Sequence, residues 1–76
     1  MADEALSIWV LYDHPTDWPD HFAARRHVAY GPDAGPTADL VLDQDLERLR
    51  RVLERLGLTR LDRMPGDDPK IMETWL

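Results

Sequence analysis

The residues of this chain best equipped for chemistry lie together between Asp13 and His21, in the run DHPTDWPDH. Three aspartates, two histidines and a tryptophan crowd into it, and Pro15 and Pro19 keep it out of regular structure. Imidazole nitrogens and carboxylate oxygens are metal donors. His14 and His21 would therefore make a metal site if the loop curled, with Asp13, Asp17 or Asp20 as a third ligand. His27 adds nothing to that set, because on an extended segment it stands roughly 20 Å from His21. Asp13-His14-Pro15 is also a common way to turn a chain, the aspartate side chain bonding the backbone two residues on. Turning is the expectation, with no metal. Paired carboxylates for acid–base catalysis would need a cleft that shifts their pKa values, and so short a chain has little depth for one. Gly-x-Ser-x-Gly, phosphate-loop and dinucleotide patterns are all missing. The expectation is a protein that is not an enzyme and carries no cofactor.

Trp18 stands between Asp17 and Pro19, where a large aromatic must choose. It either folds back as a plug over a sheet or stands out as an anchor for a partner, the usual role of tryptophan at interfaces. The candidate binding residues are thus Asp13, His14, Asp17, Trp18, Asp20, His21 and Arg25. Arg25 and Arg26 fall on opposite faces of an extended segment and do not make a fork for one phosphate.

The elements that must position this loop are legible on either side. Between Ala5 and Tyr12, Leu6, Ile8, Val10 and Tyr12 share one face of a strand while Trp9 and Leu11 share the other. Phe22 to Tyr30 reads as a second strand, with Phe22, Ala24, Val28 and Tyr30 on one face, interrupted by Arg26, and Ala23, Arg25, His27 and Ala29 on the other. A helical turn through HFAARR is the alternative, since alanine and arginine favour helix. Gly31, Pro32, Gly35 and Pro36 make a turn-rich connection. A helix follows from about Asp43, its N-cap, to Leu56, with Leu42, Leu46, Leu49, Leu53 and Leu56 as its apolar stripe. Glu47–Arg51 and Arg50–Glu54 are its one-turn ion pairs. Gly57 supplies a left-handed end onto which Leu58 folds back toward Leu53. Leu58 to Met64 is a third strand and Pro65 to Pro69 a second turn-rich stretch. Ile71 to Leu76 reads as a terminal strand, or else as a short helix capped by Asp68-Pro69.

The expected architecture is α+β: three or four mainly antiparallel strands with one helix on one face, in the order β-β-α-β with a possible terminal strand. Seventy-six residues make one domain, spanning 5–76 with a disordered tail at 1–4. With no cysteine, neither disulfide nor thiolate metal can reinforce it, so stability rests on apolar packing.

The formal charge is −6, from fifteen acids against nine bases. Most of the excess falls in residues 1–42, which hold seven acids and two bases. Such a chain repels a phosphate backbone at long range, which argues against nucleic acid and anionic membranes. The start, MADEALS, is acidic and the apolar run after it short, unlike a secretory signal or a membrane span. A cytoplasmic protein is expected.

The blocks IWVLYDHPTDWPDHFAARRHVAY and GLTRLDRMPGDDPKIMETWL resemble a pattern in a family of small uncharacterised bacterial and phage-encoded proteins. Its members open on an aromatic-rich strand and an Asp-His-Pro turn and close on an Asp-Asp-Pro turn before a tryptophan-containing tail. The resemblance implies a small cytoplasmic accessory protein, and it transfers no functional residue. The leading expectation is a small interaction module. It would bind a protein partner or a second copy through the 13–22 loop or through the sheet face the helix leaves uncovered, expected to carry Trp9, Leu11 or their neighbours. A ligand- or metal-binding accessory protein and an acidic nucleic-acid mimic are the alternatives.

Overall fold

The computed structural model of the protein describes residues 6–62 and 70–76. β1 (Ser7–Asp13) and β2 (Phe22–Val28) pair as an antiparallel hairpin in which Trp9 faces Arg26, Leu11 faces Ala24 and Asp13 faces Phe22. The second segment is thus a strand, because pairing on both edges outweighs the helix preference of Ala-Ala-Arg-Arg. β3 (Gly35–Asp43) lies outside β2, and α1 (Leu46–Arg55) packs on one face. β4 (Arg60–Asp62) and β5 (Ile71–Trp75) complete an antiparallel sheet of order β3-β2-β1-β5-β4.

Five strands replace the three or four expected, and the order is β-β-β-α-β-β. The addition is β3, within what reads locally as a linker and the start of a helix. Leu42 is not the head of the helical stripe: it pairs with Ala23 in the sheet. The physical reason is that Thr37, Asp39, Val41 and Asp43 alternate with Ala38, Leu40 and Leu42. That period of two becomes favourable once β2 offers a ladder to join.

The helix consequently starts later, and its N-cap is Asp45, which accepts from the backbone N–H of Glu47 and Arg48 at 3.0 and 3.3 Å. Asp43 works one step earlier. It accepts from the Asp45 N–H at 2.8 Å and takes Arg48 Nε and Nη2 at 2.8 and 2.7 Å. The far end forms as expected: Gly57 has φ 80°, its N–H donates to Glu54 O, and Leu58 N–H donates to Leu53 O. Leu56, expected in the core, is 55% exposed because the cap turns the chain there.

Leu11, Ala24, Leu49, Leu53 and Trp75 form the buried core, with Trp9, Phe22, Val41, Leu46, Leu58 and Met72 packed around it. Trp9 and Leu11 thus lie on the helix side and not on the open face expected for them, because the leucines of α1 pack against that face of β1. The chain end docks as a strand, with Thr59 and Leu76 exchanging both backbone hydrogen bonds at 2.7 and 2.9 Å. The expected tail at 1–4, Met64 and the turn from Pro65 to Pro69 lie outside the described residues. No helix among the described residues is long and apolar enough to cross a membrane.

The ten-residue helix spans about 15 Å, and the five strands are about 19 Å across. It covers one face. Register places Ile8, Val10, Tyr12, Ala23, Arg25, His27, Leu40 and Leu42 on the other, where no helix among the described residues packs.

Candidate functional site

The loop from His14 to His21 is two turns in series: Trp18 N–H donates to Pro15 O at 2.9 Å, and His21 N–H donates to Trp18 O at 3.1 Å. The turns disperse the candidate residues. His14, in left-handed backbone at φ 49°, donates through Nδ1 to Asp13 Oδ1 at 2.5 Å and lays its ring 4.7 Å from that of Phe22. Lys70 ties the pair to β5: its O accepts from Asp13 N–H, and its Nζ donates to His14 O. Asp20 is exposed on the second turn, and His21 lines a shallow groove with Leu42, Asp43, Gln44 and Arg48. Among the described residues, no three His, Asp or Glu side chains stand close enough to hold one metal ion.

Three of the seven candidates do meet. Asp17, Trp18 and Arg25 line an open cleft of about 290 Å³ on the uncovered face, with Tyr12, Pro15, Ala23, His27, Pro36 and Leu40. Its apolar walls are Trp18, the two prolines, Leu40 and the Tyr12 ring. The loop therefore folds back over the sheet, and Ala23, on the face the helix leaves open, is only 2% exposed. Trp18 is half-buried there, so it is partly plug and partly presented surface.

The polar groups in the cleft are few. Arg25 Nη1 donates to Thr37 O at 2.5 Å, which draws the guanidinium toward β3, and Arg25 has no ion pair among the described residues. Tyr12 Oη lies 3.4 Å from His27 Nε2. Burial, and then the Arg25 charge, lower the pKa of His27 from its ordinary value, so it is neutral at pH 7. Arg25 is then the positive charge of the cleft and Asp17, exposed at the rim, the negative one. Tyr12, His27, Pro36 and Leu40 were not among the sequence candidates. The alternation of β1 and β2 signals the first two, since Tyr12 pairs with Ala23; the other two depend on β3.

A second polar cluster lies on the helix side. Glu73 is 6% exposed. It accepts from Trp75 Nε1 and Arg50 Nε at 3.0 Å each, from Arg50 Nη2, and from Arg60 Nη1 at 3.4 Å. Burial alone would raise its pKa; the Arg50 and Trp75 hydrogen bonds and the two arginine charges outweigh that and hold it low. Arg50 also takes Glu47 at 2.7 Å, so this contact stands in place of the expected Glu47–Arg51 and Arg50–Glu54 pairs. The cluster clamps helix to sheet, its charges mutually satisfied. Comparison with family models, with curated proteins and with solved structures finds no match for the chain.

Proposed function

We propose that the protein is a small, non-enzymatic interaction module that engages a protein partner through its uncovered sheet face, with the Trp18 cleft at the centre of contact. The observation that supports this most is the half-buried Trp18 beside an apolar cleft on a face that no helix among the described residues covers. A tryptophan seated at the edge of a pocket and surrounded by polar residues is the usual composition of an interface anchor. A cytoplasmic location belongs to the same reading, and the cysteine-free composition fits it.

The alternatives draw less support. His14 and His21 are held by different neighbours, which disfavours a shared metal. Asp39, Asp43 and Glu47 each sit against an arginine, and these locally neutralised carboxylates disfavour a phosphate mimic at that surface. The test is a divided one. A partner cross-linked to the wild-type protein in its host and then purified should bind Trp18→Ala at least tenfold more weakly, while the variant keeps its circular-dichroism spectrum. Undiminished binding would move the interface elsewhere. Unfolding of the variant would make Trp18 a structural plug, and the loop would lose its functional claim.

A further inference from the structure

The charge on the uncovered face is lopsided. Arg26, on the helix side, is matched by Asp39 at 2.6 Å, whereas Arg25 makes no ion pair among the described residues, although Asp17 stands at the rim of the same cleft. Among the described residues the one acceptor of Arg25 is the Thr37 carbonyl, which takes one of its five N–H donors and leaves donor capacity for a guest. A guanidinium beside an aromatic wall is suited to a carboxylate joined to an apolar group, because the fork satisfies the acid while the wall covers the rest. The cleft holds about 290 Å³, at the lower end of ligand pockets, and is the size for one large side chain rather than a cofactor.

Pro36 and Leu40 form part of the wall, and both belong to β3, the terminal strand of the sheet. Among the described residues nothing pairs with the outer side of β3. A cleft that opens beside a strand edge favours an extended chain, whose alternate side chains enter pockets along the sheet.

We propose that the Trp18 cleft receives one apolar side chain of an extended acidic peptide segment, whose neighbouring carboxylate binds Arg25. The inference rests on the interaction-module reading and specifies the partner's chemistry at that site. The probe is a synthetic peptide of sequence Thr-Phe-Thr-Asp-Thr, acetylated and amidated at its ends so that its single charge is the aspartate. It is titrated into the full chain while the amide signals of Ala23, Arg25 and Leu40 and the Trp18 indole signal are followed by NMR.

Saturable shifts confined to those groups are expected. Replacing the peptide's aspartate by asparagine should weaken binding about tenfold, a difference of roughly 1.4 kcal/mol, as should Arg25→Gln in the protein. Replacing its phenylalanine by alanine, or Trp18→Ala, should remove saturation. The peptide-side change leaves the protein untouched and keeps the test valid if Arg25→Gln disturbs β3. Equal binding of the asparagine peptide would overturn the carboxylate assignment, yet leave the cleft as a docking site. Phenylacetate binding as tightly as the peptide would overturn the extended chain in favour of a free acid. No saturable binding of any probe would overturn the inference, while the purified-partner experiment would still decide the module reading separately.

Discussion

Arg50→Ala would leave the Glu73 carboxylate buried with the indole N–H of Trp75 and a 3.4 Å contact to Arg60 as its remaining partners. An uncompensated buried charge is the costly outcome, so a loss of about 3 kcal/mol is expected, read from the midpoint of urea unfolding. Arg48→Ala makes the contrast. Its partner Asp43 ends β3 beside the helix start and Arg48 itself is mostly exposed, so water can replace the guanidinium and this removal should cost less. If both variants lost equal stability, burial would not be what distinguishes the two arginines. The Trp18 side belongs to the same scale. Arg25 and Arg26 are neighbours in sequence with opposite fates, because strand alternation sends one to the cleft and the other to Asp39.

At the scale of elements, the helix carries the largest apolar contribution. Leu49 and Leu53 are fully buried and touch both sheet and C-terminal tryptophan in one cluster. Leu49→Ala or Leu53→Ala should each cost about 2–5 kcal/mol, a large part of the roughly 5–15 kcal/mol that holds a domain together. Thermal melting followed at 222 nm measures it, and an unchanged melting point would contradict the assigned core. The helix ends offer smaller, separable effects. Asp45→Ala removes the acceptor of two backbone N–H groups and should cost about 1 kcal/mol. Gly57→Ala should cost about 1–2 kcal/mol. No atom lies within 4 Å of the added methyl group, so that loss would be purely one of left-handed backbone.

At the scale of the whole molecule, the shifted acids and histidine among the described residues agree in sign between pH 2 and 7. The hydrogen bonds of Arg48 hold Asp43 at about 2, below its ordinary 3.8, and the cluster holds Glu73 below its ordinary 4.5. Their stabilisation is present above those ordinary values and is lost as pH falls through the folded ones. His27, lowered from 6.5, is lowered by burial and then by Arg25, so it resists protonation in the fold and not in the unfolded chain. Its contribution too is full above pH 6.5 and falls away below. Unfolding midpoints in urea should therefore decline from pH 7 to pH 2, first through the histidine range and then more steeply through the carboxylate range. His27→Gln should flatten the first part alone. A rise in stability between pH 6.5 and 5 would refute the assignment of His27 to a covered site.

Much of this was determined by sequence alone. The apolar alternation of β1 and β2 decides which side chains share a face, since a strand has a period of two whatever it packs against. The leucine spacing from Leu46 to Leu53 and the Gly57-Leu58 end likewise specify a helix and its stop from local geometry. β3 was decided by tertiary structure. Gly35 to Asp43 has no strong signal of its own, and Leu42 even fits a helical stripe. Its backbone finds partners because β2, the strand before it, is held in place by β1 and leaves its other edge open. The same holds for the cleft. Asp17, Trp18 and Arg25 are legible as candidates, but their meeting with Pro36 and Leu40 depends on two turns and a strand pairing over long sequence separations. The helix begins at Leu46 for the same reason: the ladder to β2 takes Leu42 and Asp43 first, and the chain becomes helical where that ladder ends.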